Sequence, residues 1–285
     1  MRYLKIICSI IACFFLYGCI QSDTVIRVRP DGSGVIEETV KLSNALVESL
    51  QNISKGFSEA NPDADAKEKD KEKAKAEVQS PVETMMKDAR SRETQYGPDV
   101  KFVSASPVKT DTMTGYKAVY AFKDINTLRI NQNPESKTGM PADGSGKPKK
   151  KEEIILFKLV KGPASTLTVT MPENAKDTKP AEGDQQKKPA NDPGAAEMMK
   201  VMFKDMSISI AILVEGRIIR TNATYQDGSR VTLVDMDFGK IFENEKTFEK
   251  LNAVQPNTIE DMKDLVKGIK GLKIEMNNPV EVVFQ

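Results

Sequence analysis

The chain has 285 residues, with 42 Lys and Arg against 41 Asp and Glu, three Cys, and neither His nor Trp. The missing imidazole excludes Ser-His-Asp and Cys-His catalysis and every metal site built on His ligands, and the balanced charge leaves no electrostatic footprint for nucleic acid. Carboxylate, Lys, Tyr and Ser chemistry remain, and nothing in the composition asks for a cofactor.

Residues 1–19 have the order of an export signal: a basic start at Arg2 and Lys5, an apolar run from Ile6 to Leu16 too short to span a bilayer, then a small residue before a cleavage point. The ending Leu16-Tyr17-Gly18-Cys19 resembles the lipobox of bacterial lipoproteins. That resemblance implies cleavage after Gly18, diacylglyceryl transfer to the Cys19 thiol and N-acylation of Cys19. An ordinary signal with a chance cysteine, or an uncleaved anchor, is the alternative. Ile20 follows the cysteine, where enteric lipoproteins retained at the inner membrane carry aspartate, so the resemblance implies the outer membrane, facing the periplasm, in a host with two membranes. Cys8 and Cys13 leave with the signal, so the mature chain forms no disulfide. Ile20 to Asp23 make a tether of at most roughly 15 Å, which sets the folded body against the lipid headgroups.

In chain order, Thr24 to Val28 and Val35 to Val40 are β-branched runs around Pro30-Asp31-Gly32-Ser33-Gly34, which predicts a hairpin. Ser43 is a helix cap ahead of an apolar stripe of Leu46, Leu50, Ile53 and Phe57. Residues 60–79 are a charged, almost apolar-free insertion. Ser80-Pro81 opens a second helix with Val82, Met85, Met86 and Ala89 on its buried stripe, ended by Gly97-Pro98. Val100 to Val108 and Gly115 to Phe122 are strands, followed by a turn and a short strand at Arg129 to Asn131. Residues 132–151 are loop chemistry; the cluster Lys147 to Lys151 is read as solubilising because Glu152 and Glu153 dilute it. Ile154 to Val160 and Leu167 to Met171 form a hairpin around Gly162-Pro163, and residues 172–192 are a polar linker.

The last third is denser. Asp192-Pro193 caps a helix whose Met198, Met199, Met202, Phe203 and Met206 share a face. Ser207 to Val214, Arg217 to Tyr225 and Arg230 to Phe238 are predicted as three consecutive antiparallel strands. A short helix at Phe248 and Leu251 follows, then a capping box from Thr258 to Asp261 ahead of Ile259, Met262, Val266 and Ile269. Leu272 to Met276 and Val280 to Phe284 are predicted to close the chain as a hairpin around Asn277-Asn278-Pro279.

The hairpin Asp31-Gly32-Ser33-Gly34, the strand Tyr116 to Phe122, and Ile212 to Ile218 with Thr221-Asn222-Ala223 and Asp227-Gly228-Ser229-Arg230-Val231-Thr232 are similar to the LppM-like domain of bacterial envelope lipoproteins. Glu215 stands where that family tends to have proline, and Leu233 where it tends to have tryptophan. The resemblance implies an α+β domain with a curved antiparallel sheet and contact with lipid or glycolipid, and brings no catalytic residue.

The expectation is therefore one α+β domain over 19–285: a curved, mainly antiparallel sheet of hairpins packed with amphipathic helices, with flexible insertions near 60–79, 132–151 and 172–192. Its function is read as non-catalytic, binding an apolar or amphiphilic ligand or an envelope protein at the membrane to which acylated Cys19 holds it. Met198, Met199, Met202 and Phe203 are the candidate apolar site, because Met adapts to irregular ligands, with ordinary core packing as the alternative reading of the same face. The alternatives are a carboxylate enzyme acting on envelope polymer through Asp235 and Asp237, which share one strand face, and a structural assembly factor.

Overall fold

The computed structural model describes residues 20–49, 81–131, 154–172, 203–243 and 266–285, together with Gln51 and Thr247. Gly18, Cys19, Met198, Met199 and Met202, the bodies of the three insertions, and the elements expected around Ile53, Phe248 and Thr258 lie outside these residues. The fold is α+β. Its strands are β1 (Ile20–Val28), β2 (Gly34–Ser43), β3 (Val100–Lys109), β4 (Met113–Phe122), β5 (Arg129–Asn131), β6 (Ile154–Val160), β7 (Ser165–Thr170), β8 (Ser207–Val214), β9 (Ile218–Thr221), β10 (Gln226–Asp227), β11 (Arg230–Asp237), β12 (Leu272–Ile274) and β13 (Val280–Phe284). A large sheet runs β10-β11-β8-β1-β2-β4-β3 with β12 also beside β11, and a smaller sheet runs β5-β6-β7-β13-β9. Among the described residues no helix is long and apolar enough to cross a membrane.

The expected first hairpin forms with Val28 opposite Gly34. Gly32 takes φ +85°, and Asp31 accepts from the Ser33 N–H at 2.9 Å and from the Ser33 hydroxyl at 2.7 Å, so the turn satisfies its own polar groups. Ser43 caps as its sequence position predicts: the Leu46 N–H donates to Ser43 Oγ at 3.2 Å. On the inner face of the large sheet Ile26, Ile36, Tyr116, Tyr120, Ile210 and Ile212 pack in one cluster with Leu167, Val169, Val282 and Phe284 of the small sheet. Each such side chain contributes roughly 1.5–3 kcal/mol by leaving water. Met85 and Ala89 of helix Pro81–Ser91 cover the same face.

Four sequence expectations change. The sheet is two sheets, and one pairing is parallel: β8 lies beside β1, Gln21 opposite Ser207 and Val28 opposite Val214. Residues 217–225 do not form the middle of three consecutive strands; β11 pairs β8 directly, while β9 leaves for the small sheet and pairs β13. Leu272 to Phe284 is not a hairpin, because β12 joins the large sheet at β11 and β13 joins the small one between β7 and β9. The helix from Pro81 stops at Ser91, and a one-turn helix, Glu93–Tyr96, follows Arg92. Local apolar runs specify strands, but the partner of each strand is set by which sheet face it must help to bury.

Candidate functional site

Strand β1 begins at Ile20, the residue after Cys19, so the expected tether of Ile20 to Asp23 is itself strand. Leu42 lies opposite Ile20 on β2, Ser207 opposite Gln21 on β8, and Asp237 opposite Ser207 on β11. The same end of the large sheet therefore carries Ile20, Phe203 to Ser207, and helix Phe238–Glu243, whose Phe238 N–H continues the pairing by donating to the Met206 carbonyl at 3.1 Å. Phe203, Phe238 and Phe242 meet there with ring centroids 5.9, 5.5 and 6.3 Å apart. All three rings are partly buried. Of the four residues expected as an apolar site, Phe203 is the one described, and it packs on aromatic rings from the far side of β11.

Asp235 and Asp237 keep their shared face but have structural employment. Asp237 caps helix Phe238–Glu243, accepting from the Lys240 N–H at 3.1 Å, and its carboxylate pairs with the Lys240 ammonium at 2.7 Å. Burial works to raise its pKa, but the hydrogen bonds and charge of Lys240 outweigh it and hold the group below the ordinary carboxylate value. Asp235 lies 3.8 Å from the Lys273 ammonium. Behind them, the alternation of Thr232, Val234, Met236 and Phe238 in the sequence is broken by a bulge. Thr232 opposes Ala211 and Val234 opposes Ile210, which leaves Leu233 as the extra residue, wholly buried with Val231.

The densest polar chemistry lies elsewhere, in the core. Glu38 on β2 is fully buried and 3.1 Å from the guanidinium of Arg92, which is nearly so. Tyr116 donates its hydroxyl proton to Glu38 Oε1 at 2.6 Å, Tyr96 donates to Oε2, and the Arg92 guanidinium both donates to the Tyr116 oxygen and lies 5.4 Å from that ring's centroid. Tyr120 donates to the Ala89 carbonyl at 2.8 Å. Burial first, and then the Glu38 charge, raise the pKa values of Tyr96 and Tyr116 well above normal and push Tyr120 up to about 12. Burial works against the Arg92 charge, but Glu38 more than offsets it. This cluster bolts the two helices onto β2 and β4 inside the core. The sequence did carry a signal for it: Glu38 falls on the buried parity of Ile36, Val40 and Leu42, where an acid needs a partner.

A second buried carboxylate, Glu275, accepts from the Thr224 N–H at 2.5 Å, the Thr224 hydroxyl at 3.1 Å and the Asn277 N–H at 2.9 Å. Beside it, Thr224, Tyr225, Val266, Lys267, Ile274 and Met276 line a cavity of about 120 Å³, well under the roughly 300–1,000 Å³ of sites that enclose drug-sized ligands. Among the described residues no group of three or more Asp, Glu, Cys or His is placed to hold a metal.

No family model and no curated protein matches the chain. Among solved structures, the folded domain of LppM from Mycobacterium tuberculosis, determined by NMR, aligns with 75% of this chain and 80% of its own at 12% identity, with a TM-score of 0.26.

Proposed function

We propose that the protein is an exported, lipid-anchored envelope lipoprotein whose folded body binds at the membrane surface and performs no catalysis. The carrying observation is the adjoining of signal and fold: the lipobox-like Leu16-Tyr17-Gly18-Cys19 ends where β1 begins. A diacylated Cys19 would hold the body stably, since two acyl chains anchor where one binds marginally. Asp235 sits beside Lys273, and Asp237 is tied up by Lys240 and a helix end, which holds its carboxylate charged and makes it a poor general acid at neutral pH; both engagements support a non-catalytic reading.

The cavity beside Glu275, about 120 Å³, is small for an enclosed apolar ligand, which favours contact at the protein's surface over enclosure. In a host with two membranes the body would sit on the outer one, facing the periplasm. Cys19→Ala should leave an uncleaved precursor or a soluble protein. Retention of a mature-sized Cys19→Ala protein in carbonate-washed membranes overturns the anchoring.

A further inference from the structure

We infer that the end of the large sheet carrying Ile20 is seated on the lipid surface, with Phe203, Phe238 and Phe242 at the headgroup boundary. The inference rests on the anchoring proposed above and adds an orientation and a contact surface to it. Cys19 is one peptide unit from Ile20, so the anchored residue lies about 3.8 Å, Cα to Cα, from the first strand residue and keeps this end of the sheet close to the lipid. Gln21, Ser207 and Asp237 are neighbours across three strands. At about 4.8 Å per strand, the helix that follows Asp237 starts only about 10 Å sideways of the anchor point.

The chemistry of that end fits a lipid boundary. Phe242 packs with Leu272 on a minor core of Ile241 and Ile269, and its ring meets those of Phe203 and Phe238. Among the described residues at this end, Lys240 pairs with Asp237 at 2.7 Å and Lys270 with Glu243 at 3.6 Å. The contact is therefore apolar more than electrostatic, and its strength should depend little on anionic lipid. The opposite end of the sheet is a polar turn. Arg29 pairs there with Glu215 at 3.0 Å, and the Ser165 hydroxyl donates to the Pro30 carbonyl at 3.0 Å, tying the small sheet to it. Nine residues of β1 separate the two ends, about 30 Å at 3.3 Å per residue.

The absence of Trp allows a direct test. Single-Trp variants Phe242→Trp, Phe203→Trp and Val160→Trp of the full chain would be expressed in a bacterial host that acylates lipoproteins, checked for a cooperative melt, and reconstituted into phosphatidylethanolamine/phosphatidylglycerol vesicles with brominated acyl chains. Trp at 242 or 203 should be quenched several-fold more than Trp at 160 on the small sheet, and the ratio should persist when phosphatidylglycerol is left out. Equal quenching at the two ends, or stronger quenching at 160, in protein whose N-terminal peptide carries the diacylglyceryl mass overturns the orientation alone. Emission at 242 that is already blue-shifted in the unacylated Cys19→Ala protein and depends on its concentration assigns the surface to a second copy and also overturns it. A missing diacylglyceryl mass brings down the anchoring itself.

Discussion

The protein places carboxylates in two opposite situations. Asp235 and Asp237 stand on a half-open strand face, each beside one lysine; Glu38 is sealed in the core and shared by a guanidinium and two phenols. The pair that looks like chemistry in the sequence is the cheap one to replace, since surface ion pairs contribute about 0–1 kcal/mol. The lone acid inside an apolar alternation is the expensive one. A buried charge is tolerable only while all its partners are present.

The largest expected effect comes from breaking that sharing. Glu38→Gln or Arg92→Met should lower unfolding free energy by about 3–5 kcal/mol, read as a denaturant midpoint at unchanged slope. The double change Glu38→Met with Arg92→Met should recover part of the loss, because no orphan charge remains; a double variant worse than the sum of the singles would refute the shared-charge account.

Next in size is a pH effect with a definite sign. Tyr120 has a folded pKa of about 12 against an ordinary 10.0, with Tyr96 and Tyr116 also raised. The folded state keeps protons that the unfolded chain gives up, so this stability is present below pH 10 and lost as pH rises from about 10 toward 12. Absorbance at 295 nm should show these buried phenols ionising together with loss of the fold. If Tyr96, Tyr116, Tyr120 and Tyr225 titrate as one ordinary class while the fold persists, the cluster is not closed.

Gly97→Ala tests the joint beside the cluster. Gly97 has φ +141° and ψ 167°, and a Cβ there would lie 2.5 Å from the Thr127 carbonyl oxygen. Backbone strain of this kind costs about 1–3 kcal/mol, which a thermal melt would register. The smallest effect is expected at the surface pair: Asp235→Asn with Asp237→Asn should shift stability by under about 1 kcal/mol, since Asn caps helices as well as Asp. That double variant should complement a deletion strain. Failure to complement with an intact melt would return the enzyme reading to favour.

What the sequence made legible was local. The turn at Asp31-Gly32, the cap at Ser43, and the alternation of Tyr116, Ala118, Tyr120 and Phe122 each depend on neighbours within a few residues, and each appears as read. What failed was long-range assignment: β9 and β13 look like continuations of the strands before them, yet both cross to the other sheet. The bulge at Leu233 was hidden as well, because a two-residue period does not announce one extra residue. Of the candidate sites, the sequence pointed to Asp235, Asp237 and Phe203, but not to Phe238 and Phe242 beside Phe203, whose meeting depends on β8 and β11 pairing. Arg92 lies between helices Pro81–Ser91 and Glu93–Tyr96, a break that the apolar stripe of Val82, Met85, Met86 and Ala89 does not mark.

The parallel pairing of β1 with β8 also governs the order of events when the chain first folds. Strand β1 can pair at once with β2, but its other side waits for Ser207–Val214, and the small sheet waits for Val280–Phe284 to fill the gap between β7 and β9. Such pairings close very long loops and are intrinsically slow. A chain emerging N-terminus first would thus hold an open β1 edge until Ser207–Val214 has followed it, and that edge is the stretch most exposed to mispairing while the chain is incomplete.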